Sequence, residues 1–393
     1  MVDYTPLLEV LLLIVLAKVL GEVFSRISLP RVIGELLAGI ILGPSILAVV
    51  APTEELEILS TIGVVFFMLS AGLEIDLERL MKHFREGLLV AVFGVAVPFL
   101  LGFILGYLYG YGLVTSFCLG TCLSITAIGL SIRTLMDLNM LNTRVGLTIV
   151  NAAVDDDVIG LVLMSIATAL AIEEEAVSYH RVVTSAITAV AFIIASFMIV
   201  HYLGTRLRSV VSRYFRATSS KLVLAISLAL LFGLVARASS LHEIIGVFIA
   251  GMLLRNVLGK EVEKEILDFT LAFFALLFFS YIGVKTDIGS ILEITEVAIA
   301  LIAFAFIGKI IGGVIGGTLS GLSLPEALVV GIAMNSRAAV ELAIANMLYT
   351  VGVLSLELFS AIVLMAAVTS IATPLMLKFT TTLLWDKLSR VQC

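Results

Sequence analysis

VIGELLAGIIL, residues 32–42, returns as IIGVFIAGMLL at residues 244–254. Ile33-Gly34, Ala38-Gly39 and Leu42 align with Ile245-Gly246, Ala250-Gly251 and Leu254. A second echo follows at almost the same offset, where Phe67, Gly72 and Asp76 align with Phe278, Gly283 and Asp287. Two echoes in one order mark an internal repeat. Both copies sit in long apolar sequence, so the solvent around them decides what the repeat builds.

That solvent is lipid. Of the 393 residues, 61% are hydrophobic and 14% charged, where a soluble domain carries about 25% charged residues. Too few charges remain to cover a water-facing surface. This excludes a soluble enzyme, a disordered chain and a nucleic-acid-binding protein. Only helices or a closed barrel cross a bilayer, and apolar runs without alternation exclude the barrel. The net charge of -6 is small and selects no partner. Three cysteines make no disulfide framework. Cys118 and Cys122 share a helix face in apolar sequence and read as packing residues rather than a metal pair. The opening MVDYTPLL has no basic cluster and does not read as a secretory signal.

Cutting at polar, Gly and Pro punctuation predicts about thirteen spans of ~20 residues. They fall near 5–24, 31–50, 58–73, 87–109, 113–135, 144–172, 182–203, 220–238, 241–257, 265–284, 291–320, 325–350 and 355–379. None of the stretches between is long enough for a cytosolic regulatory domain. Of the 24 Lys and Arg residues, 18 fall in one set of alternate loops and 3 in the other, which also holds Glu54-Glu55 and Glu173-Glu174-Glu175. Positive loops stay inside, so the N-terminus is expected outside and the C-terminus in the cytoplasm. The first repeat copy then starts at a cytoplasmic end and the second at an outer end, so the copies are inverted across the membrane. Inverted repeats belong to secondary transporters, whose halves exchange conformations around a midplane site. An ancient duplication without transport is the alternative.

A charge at the bilayer centre costs roughly 3 kcal/mol or more, so each one needs a reason. TIVNAAVDDDVIGLVLMSI, residues 148–166, carries Asp155, Asp156 and Asp157 in mid-span. Successive helical residues point about 100° apart, so at least two of these acids face the protein. Three neighbouring carboxylates do not all ionise in a low dielectric. Some hold protons or bind a cation, which is the chemistry of H+ exchange for a metal ion. The bland reading is a polar face at a subunit contact. Lys309 lies mid-span in AFAFIGKIIGGVIGG and needs a carboxylate partner from that cluster, in transport or in a purely structural pair. The fifth span carries Ser124 and Thr126, and the twelfth carries Asn335, Ser336, Arg337 and Glu341. Ser124 corresponds to Asn335 by the repeat offset. Both spans read as discontinuous helices, whose breaks aim end dipoles and freed carbonyls at the site. Arg337 and Glu341, four apart, pair along one face. The Thr126 hydroxyl either serves the ion or bonds back to its own helix. Lys18 and Glu22 are expected to pair on the first helix. Glu35, Glu74, Asp76 and Asp287 lie near span ends, solvated or paired with loop cations. A pH-sensing histidine is the less favoured reading, while His242 and Glu243 open the ninth span on the outer side, where an entry funnel is expected.

At these residues the chain resembles the monovalent cation:proton antiporter-2 family, most closely the NapA-type sodium/proton antiporters. The resemblance covers nearly the whole chain. It rests on Asp156-Asp157-Val158-Ile159-Gly160-Leu161, on Ile33-Gly34-Glu35 through Gly43-Pro44, on the Lys309 span, and on Asn335-Ser336-Arg337 with Glu341-Leu342. It implies an all-α polytopic fold with two crossing broken helices, the fifth and twelfth spans. It implies a mobile core near 58–172 and 265–379, a dimerisation domain near 1–50 and 182–257, and a homodimer in the bilayer. The aspartate matching Asp157 would be the main ion carrier, and Asp156 would bridge to Lys309. Paired aspartates with a lysine go with electrogenic exchange. Asp155 departs from the family as an extra acid, and Ala338 and Ala339 depart from the residues common after the arginine.

The resulting expectation is an electrogenic Na+(Li+)/H+ antiporter in a prokaryotic plasma membrane. Na+ and H+ compete at Asp156 and Asp157, which are thus the Na+ ligands, with no cofactor beyond the transported ions. Possible accessory groups are Asp155, Ser124, Thr126, Asn335, Arg337 and Glu341. The rivals are a K+/H+ antiporter of the same fold, a channel, and an intramembrane aspartyl protease. The protease needs two acids facing each other from separate helices, whereas these are consecutive on one.

Overall fold

The computed structural model describes residues 5–27, 29–74, 77–126, 143–172, 217–238, 243–255, 257–337 and 339–388, with single residues between 131 and 140 and between 187 and 214. Among the described residues every regular element is helical. The first half holds α1 (Thr5–Arg26), α2 (Arg31–Leu42), α3 (Glu54–Glu74), α4 (Leu77–Leu108), α5 (Leu113–Ser124) and α6 (Arg144–Ile172). The second holds α7 (Thr218–Ala238), α8 (Glu243–Leu254), α9 (Lys260–Phe269), a π turn (Thr270–Phe274), α10 (Ala275–Lys285) and α11 (Ile288–Glu293). It continues through α12 (Thr295–Leu319), α13 (Leu324–Ala333), α14 (Ala339–Thr350) and α15 (Leu356–Leu388). Among the described residues, six helical stretches are long and apolar enough to cross a membrane by length and composition. The shorter α5, α8 and α13 are apolar as well. The seventh span, 182–203, lies mostly outside the described residues, as does Asp76.

Where helices stop short of the expected spans, the sequence gives the cause. The second span ends at Leu42 because Gly43 leaves helical geometry with an extended backbone and Pro44 cannot continue the hydrogen-bond ladder. The fifth stops at Ser124, with Ile125 extended. The twelfth is split between α13 and α14 around Asn335–Arg337. The tenth starts early, because the polar α9 runs through the π turn into α10, where Ser70 of α3 donates to the Thr270 hydroxyl at 3.0 Å.

The inverted repeat reappears as matched close approaches. A Cβ on Gly39 of α2 would strike the Ser280 carbonyl of α10, and one on Gly283 of α10 would strike the Leu36 carbonyl of α2. The counterparts behave alike: Gly251 of α8 faces the Leu69 carbonyl of α3, and Gly72 of α3 faces the Phe248 carbonyl of α8. Each half therefore packs its first repeated helix on the second repeated helix of the other. The repeat-related Phe67 and Phe278 stack on each other at 6.4 Å, where the halves meet. Gly102 with Gly120 joins α4 to α5, and Gly313 with Gly331 joins α12 to α13 in the same manner. Small residues let helices approach closely where lipid supplies no hydrophobic drive.

The helices sort into two packed sets. One contains α1, α2, α3, α7, α8, α9 and α10; the other contains α4, α5, α6, α12, α13, α14 and α15. The resemblance groups 58–73 and 265–284 with the mobile core. Those stretches, now α3 and the α9–α10 run, pack with α2 and α8 because the glycine seams hold them there.

Candidate ion site at the helix breaks

The site forms where the two breaks meet α6 and α12. Asp156 and Lys309 are both fully buried, and Lys309 Nζ lies 3.0 Å from Asp156 Oδ1. The other carboxylate oxygen, Oδ2, accepts the backbone N–H of Thr126 at 3.0 Å. That N–H has no helical partner because the fifth span has just ended. The break thus supplies a donor that an unbroken helix would have consumed. Two ions withdrawn from water are tolerated only with close pairing and satisfied lone pairs, and Asp156 has both.

Arg337 does more than pair with Glu341. Its guanidinium donates to the carbonyls of Cys122 (3.0 Å), Ile125 (3.4 Å) and Leu123. These are the carbonyls at the C-terminal end of α5, which carries partial negative charge. The break in the second half therefore caps the break in the first, and those carbonyls are met by Arg337 rather than left open. The Arg337–Glu341 contact is looser, at 3.5 Å. Ser131 ties the crossing further by donating to the Ala333 carbonyl at 2.6 Å.

The remaining candidates divide by what their oxygens do. Ser124 bonds back to the Thr121 carbonyl at 2.8 Å. Asn335 donates its amide to Gly331 at 2.8 Å, while its Oδ1 has no partner among the described residues. Thr126 Oγ1, Asp155 Oδ2 and Glu341 Oε2 are also buried without a protein partner among the described residues. Unpartnered buried oxygens cost free energy unless water or a cation meets them, and oxygen is the donor that hard cations take. Asp157 continues α6, but its side chain lies outside the described residues.

Elsewhere, Cys118 and Cys122 are fully buried in the core. Glu22 pairs with Arg26 and Arg31 at 3.8 and 3.7 Å, in place of the expected Lys18. Glu35 is buried rather than solvated. Asp287 caps α11 by accepting the Gly289 N–H at 2.9 Å. The capping role of Arg337 was not legible from spacing, because its partners lie some 210 residues away.

Residues 11–383 match the family model described as sodium/hydrogen exchanger, transmembrane. A probable Na+/H+ antiporter, GerT of Bacillus cereus, is 31% identical over 94% of this chain and 98% of its own length. The Na+/H+-K+ antiporter GerN of the same organism is 30% identical over 95% of each chain. The sodium proton antiporter MjNhaP1 of Methanocaldococcus jannaschii superposes with a TM-score of 0.71 at 15% identity, covering 94% of this chain and 95% of its own, and so shares the fold.

Proposed function

The chain belongs to the sodium/hydrogen exchanger family, and from that premise we propose that it is an electrogenic Na+/H+ antiporter, accepting Li+ as well. The observation that carries the reading is the buried Asp156–Lys309 pair at the crossing of two broken helices. In the proton-loaded form Asp157 is neutral and Asp156 is paired with the lysine ammonium, so the group carries no net charge. In the sodium-loaded form both carboxylates hold Na+ and Lys309 has released its proton, which leaves the group one negative charge. The two legs of the cycle differ by one charge, so membrane voltage drives the exchange. Asp157 is the main carrier in this scheme, and Asp156 with Lys309 couples the second proton.

The set containing α4, α5, α6 and α12–α15 is the moving unit, and the set containing α1–α3 and α7–α10 is the scaffold and homodimer face. The protein sits in a prokaryotic plasma membrane with its N-terminus outside and works without a cofactor. K+ is the second reading, because a relative at 30% identity is named for K+ as well as Na+.

Exchange in proteoliposomes, followed with a pH dye under an imposed voltage while Na+, Li+ and K+ are added in turn, tests both. Na+ and Li+ are expected to drive proton movement that responds to voltage, and Asp157→Asn to reduce it to the background of empty vesicles. Wild-type rates in Asp157→Asn would remove that residue from the mechanism. A response to K+ alone would favour the second reading.

A further inference from the structure

Lys285 ends α10 in one helix set, yet its ammonium is gripped by the other. Nζ lies 3.2 Å from Asn346 Oδ1 and 3.4 Å from Thr350 Oγ1, both on α14. It also sits 4.9 Å from the ring centroid of Tyr349 on the same helix. On its own side it meets Glu57 of α3 at 3.5 Å and the Tyr281 ring at 5.5 Å. α10 and α14 pack on each other across the two sets, so one partly buried cation sits on the seam. The linker that follows is tied in both directions. Ser45, after α2, donates to the Thr286 carbonyl at 2.7 Å, and the Asp287 N–H donates to Ser360 of α15 at 2.9 Å. The loop charges assign this end of α3, α10 and α14 to the outer face.

The partners fall into two groups. Sliding α14 past α10 breaks the bonds to Asn346 and Thr350 and the contact with Tyr349. Glu57 and Tyr281 travel with Lys285 and keep the ammonium paired. A static ion pair has no such division. We propose that Lys285 is a clasp that closes the outer seam between the two helix sets and releases α14 when that face opens. The clasp rests on the antiporter reading for its place in a cycle. Breaking it raises the population of the outward-open state, and apparent affinity on that face rises by the same factor.

The test uses the full chain in lipid nanodiscs and in vesicles of known sidedness, with Lys285→Met, Lys285→Arg and Asn346→Ala. Amide hydrogen exchange is expected to accelerate about tenfold at residues 286–294 and 345–350 in Lys285→Met. The glycine seams of α2 and α8 should be unchanged, and Lys285→Arg should lie nearer wild type. Asn346→Ala should act in the same segments and add little to Lys285→Met. The Na+ KM measured from the outer face should fall severalfold and that from the inner face should rise. Unchanged protection at 345–350 would overturn the clasp, as would a loss of protection spread evenly over the chain, which marks a merely structural residue. Hydrogen exchange needs no substrate. Local opening in a protein whose wild type moves no protons with Na+ would therefore keep the clasp and sink the antiporter reading instead.

Discussion

The two broken helices occupy equivalent places in the repeat and do opposite work. At the offset that relates Gly102 to Gly313, Thr126 corresponds to Arg337, Pro98 to Lys309, and the acids Asp155–Asp157 to Ala366, Ala367 and Val368. The first half contributes carboxylates and a freed backbone N–H. The second contributes both cations. Lys309 reaches across to Asp156, and Arg337 reaches across to the end of α5. The glycine seams, in contrast, match in both halves. Symmetry therefore resides in the backbone packing, where alternating access requires two equivalent arrangements. The charge chemistry is built once, from unlike residues at like positions.

The largest effect should come from breaking the charge pair across the halves. Asp156→Asn leaves Lys309 buried without its carboxylate, and Lys309→Met leaves Asp156 with the Thr126 N–H as its remaining described partner. Each is expected to cost about 3–5 kcal/mol of stability, because an uncompensated ion stays in the core. The double variant Asp156→Asn/Lys309→Met should recover most of that loss. Thermal unfolding of purified protein in one detergent reads the cycle. Single and double losses that simply add would mean that the pair is not a unit.

A smaller effect should test the symmetric part. Gly39→Ala and Gly251→Ala each drive a methyl group into a backbone carbonyl of the neighbouring helix. Each should cost about 1–3 kcal/mol, as overpacking does, and the two costs should agree. Gly94 of α4 has open space where a Cβ would stand. There alanine should be neutral or stabilise by up to ~1 kcal/mol through helix propensity. Melting temperatures of the three variants decide the matter. Seam variants as stable as Gly94→Ala would remove the glycines from the packing argument.

Much of this was legible in the sequence because the membrane simplifies the problem. Apolar length gave the spans, and the IG and AG echoes gave the repeat. The cost of a buried charge singled out Asp156 and Lys309 without any knowledge of their distance. The break at Ser124 was legible because its polar residues have no place in a lipid-facing helix. The roles of Arg337 and Lys285 were not. Their partners are carbonyls and side chains on helices far along the chain, and no periodicity relates a cation to an acceptor some 60 or 210 residues away. That 58–73 and 265–284 pack with α2 and α8 was not legible for a related reason. Which apolar helix packs on which is decided by glycine seams, whose partners are backbone atoms without a sequence signature.

The smallest effect concerns Thr126, the counterpart of Arg337. Its backbone N–H holds Asp156, while its buried hydroxyl has no described partner. The two contributions separate in Thr126→Val, which keeps the shape and the N–H and removes only the hydroxyl. If the backbone does the holding, stability should change by less than about 1 kcal/mol, since the lost group has no described hydrogen bond to forfeit. Voltage dependence should persist. The KM for Na+ then reports on the hydroxyl alone. An unchanged KM makes Thr126 a positioning residue that acts through its main chain. A severalfold rise in KM at constant kcat makes the hydroxyl an oxygen ligand of the ion, and the first break then contributes to binding as well as to holding Asp156.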